Sequence, residues 1–365
     1  LMRTPLYDEH VRLGARIVDF SGWEMPVVYG GIIDEHRFTR EHCSLFDTCH
    51  MGKFEIRGRA AQADLERILT QPLAALAPGR GAYGYILNEK GGVLDDQICF
   101  RRSADCFWLI VNAGTTPSNE EWVRSRLSPE SVLVDLSLRY AKFDVQGPKA
   151  RESMDRAFGA AMPDMKYFHL REVDLLGMSC MVSRTGYTGE FGYELFTPID
   201  SCADFWRRLL AGGGARPAGL GARDTLRVEM GYPLYGHELG PGRTPAGIGG
   251  ARFMNMDKDF TGRDAVRSEL ERGGFNVLAG LRLEGRASAR SGDRVVMDGV
   301  PVGEVTSGLF APSLGVAVAM AYVAPSAAAP GARLGIDVRG RLLPAKVVGL
   351  PFHKSGTCRR KENET

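Results

Sequence analysis

Two segments combine glycine turns with charged side chains in a pattern typical of a ligand-binding site. In residues 186–194, three glycines within seven residues precede an apolar strand pattern, so a sharply turning backbone would hold Glu194 beside the turn. In the second segment, a helix pattern begins after Gly221 and places Arg223 in its first turn. The helix dipole disfavours a cation there, so we expect a specific partner to hold Arg223. Both segments indicate a site.

Two neighbouring carboxylates follow a turn at Gly91 and Gly92. The pattern of residues 93–100 predicts a strand whose side chains alternate, so Asp95 and Asp96 should point to opposite faces. Such a separation weighs against a pair that shares one proton. Asp96 lies on the more apolar face, where a structural role is expected, and Asp95 on the more polar face. From the residues alone, Asp95 as a catalytic group and Asp95 as a solvated side chain after a turn both remain open.

Length and composition describe an ordinary globular protein with room for two or three domains. The 365 residues are 44% hydrophobic and 25% charged. A formal net charge of +2 provides no global field for nucleic acid or an anionic membrane. No apolar run reaches the roughly 18 residues that span a bilayer, and no signal-peptide core is present. We therefore expect a cytoplasmic protein without nucleic-acid or membrane partners.

The seven cysteines show neither a disulfide framework nor a zinc motif. Cys-x-x-Cys pairs are absent, which favours free thiols in a reducing compartment. His42 and Cys43 stand too far from Cys49 and His50 for the usual gap between paired ligands. Packing in the core or in turns is the favoured role for these four residues, and no metal is expected.

Two strand, glycine and helix patterns echo one another along the chain. Residues 54–58 and 143–147 each predict a short strand ending in glycine, and a helix start follows each of them. Two related α+β units are the natural inference, although chance similarity stays open. After residue 272 the helical pattern gives way to short apolar strands at residues 278–283, 294–297, 302–305, 316–322 and 334–338. Because Asp298 and Gly299 form a strong hairpin signal, this part predicts a small β-barrel.

Motifs spread over nearly the whole chain resemble those of one family. They occur in its order and spacing, at residues 4–7, 20–26, 46–52, 91–96, 186–194, 219–227, 307–308 and 312–315. Together they resemble the glycine cleavage T-protein family of aminomethyltransferases. These enzymes move a one-carbon unit from an aminomethylated lipoyl arm to tetrahydrofolate.

The resemblance implies the fold, the substrates and the partner. The implied fold is α+β, with two related α+β folate-binding units plus a small C-terminal β-barrel around a central cavity. The α+β region would cover residues 1–272, in units of roughly 1–140 and 141–272 whose interleaving is left open, and the barrel and tail residues 273–365. Tetrahydrofolate would be the one-carbon acceptor substrate and lipoylated H-protein the partner of a monomeric enzyme. Ammonia and 5,10-methylenetetrahydrofolate would be the products.

The resemblance also implies roles for single residues. Asp95 would be the catalytic carboxylate facing the reactive folate nitrogens. Glu194 would accept the amino group and ring N–H of the pterin, a donor pair suited to a carboxylate, and Arg223 would bind substrate. The other implied folate-cavity residues, for which core or turn packing stays open, are Met51, Leu87, Asn112 and Tyr187.

Three departures from the family pattern keep alternatives open. Residues 244–253 lack a glutamate and a tryptophan often found there, Gln97 replaces a common aliphatic residue, and Arg359 stands where some relatives have a tyrosine. Arg359 would meet the glutamate tail of the folate or belong to a basic tail with residues 360 and 361. One alternative function is a tetrahydrofolate-dependent demethylase of a small methylated donor. A non-enzymatic folate-binding iron–sulfur assembly factor ranks last, because residues 184–190 lack the Lys-Gly-Cys-type motif of that group.

Overall fold

The computed structural model describes residues 1–159 and 161–359 and combines helices with three open sheets and a closed barrel. The predicted basic tail at residues 360 and 361 lies outside the described residues. The helices are α1 (Tyr7–Arg12), α2 (Ile32–Glu41), α3 (Ala61–Ile68), α4 (Thr116–Arg124), α5 (Ala150–Phe158), α6 (Cys202–Ala211), α7 (Leu220–Glu229) and α8 (Arg263–Arg272). Short 3-10 turns occupy Ala113–Thr115, Ile199–Ser201, Pro245–Ile248, Gly250–Phe253 and Pro325–Ala327.

The strands of the open sheets lie before residue 218. They are β1 (Met2–Arg3), β2 (Arg16–Phe20), β3 (Trp23–Val28), β4 (Ser44–Asp47), β5 (Gly52–Arg57), β6 (Arg80–Leu87), β7 (Val93–Arg101), β8 (Cys106–Val111), β9 (Val132–Asp135), β10 (Tyr140–Gln146), β11 (Leu170–Leu175), β12 (Met178–Ser183), β13 (Gly192–Pro198) and β14 (Arg216–Pro217). Their orders are β1-β3-β2, β6-β7-β8-β5-β9 and β11-β12-β13-β10-β4-β14. Because β4 pairs with β10, residues 44–47 belong to the same sheet as β10, β11, β12 and β13.

The two halves of this region repeat one local structure. β5 leads through Gly58 to α3, and β10 leads through Gly147 to α5. Both glycines have a φ near 130°, and an added Cβ at either would meet a backbone oxygen at 2.0 Å. Only glycine adopts this backbone and leaves the space that the close approach requires. The predicted echo is therefore confirmed as two matching strand, glycine and helix units within an α+β fold.

The C-terminal part is a closed six-stranded barrel, as predicted. It consists of β15 (Val277–Leu283), β16 (Arg294–Met297), β17 (Val300–Ala311), β18 (Val316–Val323), β19 (Arg333–Val338) and β20 (Arg341–Val348), in the order β15-β18-β17-β16-β19-β20. Asp298 and Gly299 both have positive φ in the hairpin between β16 and β17. β20, which the sequence prediction missed, pairs with β15 and β19 and closes the barrel. The boundary predicted after residue 272 falls at the last residue of α8.

Candidate active site

The carboxylate of Asp95 is fully enclosed by hydrogen-bond donors. Its Oδ2 accepts from the backbone N–H of Asn112 (3.0 Å), Thr115 Oγ1 (2.8 Å) and Asn119 Nδ2 (2.5 Å). Its Oδ1 accepts from Asn112 Nδ2 (2.6 Å) and from the backbone N–H of Asp96 (3.0 Å). Apart from the N–H of Asp96 on β7 itself, these donors lie between the end of β8 and the first turns of α4, and Asp95 has no exposed surface.

Asp96 has the more open position of the two. It is half-buried, accepts from Tyr83 Oη at 2.9 Å through Oδ2, and accepts from Asn112 Nδ2 at 2.8 Å through Oδ1. Tyr83 comes from the neighbouring strand β6, and its ring meets that of Phe253 edge-on at 4.9 Å. Burial raises the pKa of half-buried Tyr235, and the nearby charges of Asp95 and Asp96 add to the effect, so Tyr235 also lies near the pair.

Two expectations for this strand are corrected. The alternation along β7 is confirmed, but the face that carries Asp95 is the fully buried one and the face that carries Asp96 is half-buried. The expected separation of the carboxylates is also wrong, because the single amide nitrogen of Asn112 donates to an oxygen of each. The strand pattern gave the alternation, whereas the element packed on each face decides which side chain reaches open space.

The pair is arranged to hold a proton near neutral pH. Burial, followed by the charge of Asp96, raises the pKa of Asp95 to about 7, although the donors from Asn112 and Thr115 oppose the shift. Burial likewise raises the pKa of Asp96. Two carboxylates this close titrate as a unit, so one proton belongs to the pair rather than to one residue.

A second charged cluster surrounds Glu194 on β13. Lys142 Nζ lies 3.4 Å from Glu194 Oε1 and donates to Asp144 Oδ1 at 2.7 Å, while Arg223 Nη1 donates to Asp144 Oδ2 at 2.7 Å. The expectation that a specific partner holds Arg223 is confirmed, and that partner is Asp144. Burial would raise the pKa of Asp144, but Lys142 and Arg223 together lower it. Asp144 pairs with both cations through a single negative charge, so Glu194 shares the charge of Lys142 with Asp144, and burial raises the pKa of Glu194.

Tyr187 joins the two clusters. Its ring stacks on that of Tyr232 with centroids 5.7 Å apart, and the Arg223 guanidinium lies 4.9 Å from its centroid. Its hydroxyl donates to the Pro233 carbonyl. Burial raises the pKa of Tyr187, and the charge of Asp96 is among the further causes, so Asp96 and Arg223 both lie near enough to act on this residue. The site therefore offers a carboxylate pair at one end and a buried carboxylate with two cations at the other.

The other predicted residues have different positions. Asn112 donates to both aspartates and lies immediately before the 3-10 turn Ala113–Thr115. Met51 is half-buried and packs against the apolar cluster that contains Phe196. Leu87 has no exposed surface and packs with Val93 and Val266, as the core-packing alternative expects, and its predicted role in the folate cavity stays a prediction.

Sequence patterns missed five polar members of the site, namely Tyr83, Thr115, Asn119, Lys142 and Asp144. Lys142 and Asp144 alternate with apolar residues along β10, and this period of two was the signal that could have placed them on one face. Tyr83 and Asn119 carry no comparable signal, because their partners come from other elements. Gln97 is buried and exchanges two amide hydrogen bonds with Gln71, at 3.0 and 3.1 Å, so it satisfies its polar groups away from the aspartates.

Comparison with known proteins decides the family. A model described as the GCVT N-terminal domain matches residues 6–258, and the glycine cleavage T-protein C-terminal barrel domain matches residues 276–354. The chain belongs to the glycine cleavage T-protein family. An aminomethyltransferase of Symbiobacterium thermophilum is 42% identical over 97% of this chain and 98% of that protein. One from Synechococcus elongatus is 40% identical over 98% of each chain.

A solved structure supports the same assignment. The crystal structure of glycine cleavage system aminomethyltransferase T from Bartonella henselae covers 99% of each chain with a TM-score of 0.92 and 32% identity. This T-protein family member is therefore an enzyme that transfers a group. None of its described helices is long and apolar enough to cross a membrane. Within residues 1–159 and 161–359, no three His, Cys, Asp or Glu side chains are grouped as a metal ion requires.

Proposed function

We propose that this protein transfers the one-carbon unit of an aminomethyl group, carried on the lipoyl arm of H-protein, to tetrahydrofolate. The products are ammonia and 5,10-methylenetetrahydrofolate. Membership of the T-protein family supports the reaction class, and the names of the relatives state aminomethyl transfer. Two parts of the site support the proposed substrates: the carboxylate pair Asp95 and Asp96, and the cluster of Glu194, Lys142, Asp144 and Arg223.

The observation that carries the proposal is the proton-holding pair Asp95 and Asp96. Transfer through an iminium-like carbon breaks the C–S bond and leaves a thiol on the lipoyl arm, and the nitrogen departs as ammonia once the carbon is bonded to the folate. The reaction therefore needs a proton for the leaving nitrogen and a negative charge near the developing cation. Asp96 is the half-buried member, and we place it against the reacting atoms. Asp95, enclosed by its donors, is a positioning residue that shares the proton. This differs from the catalytic role that the family resemblance implies for Asp95.

At the other end, Glu194 is assigned to the pterin. The amino group and ring N–H of a pterin form a donor pair that one carboxylate accepts in bidentate fashion. Burial raises the pKa of Glu194, because Lys142 compensates the charge of this carboxylate only in part. Two N–H groups of a ligand would supply the remaining compensation. Arg223 supplies a cation already oriented by Asp144, and the ring of Tyr187 lies beside that cation.

The deciding experiment is single-turnover formation of 5,10-methylenetetrahydrofolate from tetrahydrofolate and aminomethylated H-protein. Product and ammonia should form in equal amounts and faster than without the enzyme. Asp204→Asn is a matched control, because this carboxylate is exposed on α6 and pairs only with neighbouring Arg207 in the described contacts. Absence of product with folded protein and competent donor would contradict the proposal.

One observation favours a second candidate, a tetrahydrofolate-dependent demethylase. Phe253, in the segment that departs from the family pattern, packs its ring against Tyr83, which holds Asp96. A changed wall beside the reacting carboxylate would change which one-carbon donor is accepted. Formation of 5-methyltetrahydrofolate and the demethylated donor from a small methylated donor, a methyl transfer that needs no oxidant, with no product from aminomethylated H-protein, would favour this alternative.

A further inference from the structure

The C-terminal segment of residues 353–358, named here the strap, lies on the glycine loop of residues 186–191 between β12 and β13. The backbone N–H of Cys358 donates to the Gly189 carbonyl at 3.0 Å. Thr357 Oγ1 accepts from the backbone N–H of Phe191 at 2.8 Å and donates to Glu190 Oε2 at 2.5 Å. One threonine hydroxyl thus connects the strap to both the backbone and a side chain of the loop.

Glycines allow this close approach. A Cβ added at position 356 would stand 2.6 Å from the Gly189 carbonyl oxygen, so the strap backbone reaches the loop backbone only because residue 356 has none. Gly189 itself has a φ of 81°, and an added Cβ there would meet Met230. The loop and the strap are therefore shaped for each other at two positions.

A buried ion pair fixes the other side of the loop. Arg40 on α2 donates to Glu190 Oε1 at 2.8 Å, to the Thr188 carbonyl at 2.6 Å and to Glu229 Oε2 at 2.9 Å. The side chains of Glu190 and Arg40 are 2% and 8% exposed, so this pair is shielded from solvent. Glu190 consequently receives Arg40 on one oxygen and Thr357 on the other.

The anchor of this network reaches the barrel. Glu229 on α7 accepts from the backbone N–H of Ser313, in the turn between β17 and β18, at 2.8 Å, and its Oε2 lies 3.2 Å from His36 Nε2. The strap returns to the same residue, because the His353 N–H donates to the Glu229 carbonyl at 2.8 Å. The loop that carries Tyr187 is thus contacted directly by the strap and by Arg40 on α2. Glu229 on α7 connects Arg40 to the barrel.

We propose that the strap positions the glycine loop for folate binding through Thr357, Glu190 and Arg40. This inference rests on the proposed function, because it takes Tyr187 in the loop and Glu194 just after it as folate contacts. Residues 186–191 form no part of either flanking strand, so their conformation depends on side chains from outside the sheet. Thr357, Glu190 and Arg40 are positioning residues that act through Tyr187.

The test compares Thr357→Val with Thr357→Ser in the full chain. Valine keeps the shape of threonine and removes the hydroxyl, whereas serine retains it. Hydrogen exchange of the amides of residues 188–191 should accelerate about tenfold in the valine variant, because the loop opens locally. The tetrahydrofolate Kd should rise about tenfold, with turnover at saturating folate within about twofold of wild type. Serine should restore both quantities.

Thr306→Val is the matched control. Thr306 is also buried, but its hydroxyl donates to the Met320 carbonyl inside the barrel, at 3.1 Å. Unchanged exchange of the loop amides in Thr357→Val would overturn the inference, and so would faster exchange with an unchanged Kd. Equal effects in Thr306→Val would show that loss of a buried hydroxyl destabilises the whole protein, and this would also overturn the inference. If the wild-type protein binds no tetrahydrofolate, the proposed function itself is wrong. If the wild type binds tetrahydrofolate and Thr357→Val binds it equally well, only the inference about the strap is wrong.

Discussion

Replacing Asp96 with asparagine should remove catalysis while leaving the fold almost unchanged. The side-chain donors to Asp96 among the described residues are Asn112 Nδ2, on Oδ1, and Tyr83 Oη, on Oδ2. An asparagine can keep its oxygen on Asn112 and donate its amide to the Tyr83 hydroxyl, which can also accept. We therefore expect the unfolding free energy to fall by no more than about 1 kcal/mol. Turnover should fall about 10²–10⁴-fold, because an amide cannot exchange the proton.

The same change at Asp95 should act mainly on stability. Both of its oxygens accept a backbone N–H, that of Asn112 on Oδ2 and that of Asp96 on Oδ1. Either orientation of a new amide therefore points its NH₂ group at a backbone donor that cannot become an acceptor. Each buried group left unpaired costs about 1–3 kcal/mol, so Asp95→Asn should lose about 2–5 kcal/mol of a total near 5–15 kcal/mol.

Urea unfolding and single-turnover kinetics on both variants separate these effects. The expected result is a stable, inactive Asp96→Asn and a destabilised Asp95→Asn whose folded fraction retains more activity. Wild-type turnover in Asp96→Asn would remove that residue from the reaction. An inactive Asp95→Asn with undiminished stability would return the catalytic role to Asp95, as the family resemblance implies.

Three further predictions concern pH, folate affinity and a buried pair. Since the folded pKa of Asp95 is raised to about 7 and the unfolded value is about 3.9, its stabilising contribution is complete below pH 3.9 and disappears as the pH rises through about 7. Urea unfolding at about pH 5 and about pH 8 should therefore show a smaller pH difference in Asp96→Asn than in wild type, and an equal difference would contradict the coupling. Glu194→Gln should raise the tetrahydrofolate Kd about 10–100-fold by equilibrium binding, whereas an unaltered Kd would contradict the pterin assignment. Asp47→Asn should lower the unfolding free energy by about 3–5 kcal/mol, because fully buried Asp47 accepts from His10 Nε2 at 2.8 Å; a change below about 1 kcal/mol would refute the value of this pair.

Local patterns carried much of the fold. Strand and glycine-turn signals in residues 54–58 and 143–147 act within a few residues, and the structure repeats them as matching units with Gly58 and Gly147 in the same strained backbone. The Asp298 and Gly299 hairpin succeeded for the same reason, since positive φ at both positions is a property of the turn itself. β20 was missed because Pro344 weakens a strand prediction and the apolar Leu342 lies on the exposed face, so that pairing on both sides is what defines the strand.

The site shows where local patterns end. The sequence by itself determined the α+β units, the barrel, the alternation of Asp95 and Asp96, and a charged Arg223 that requires a partner. Tertiary structure decided which aspartate is enclosed, because α4 and the end of β8 bring Asn112, Thr115 and Asn119 onto one face of β7. It also decided that Asp144 holds Arg223, although 79 residues separate them in the chain. Strand periodicity fixes which side chains share a face, but burial, pairing and pKa depend on what packs against that face, and those neighbours come from distant sequence.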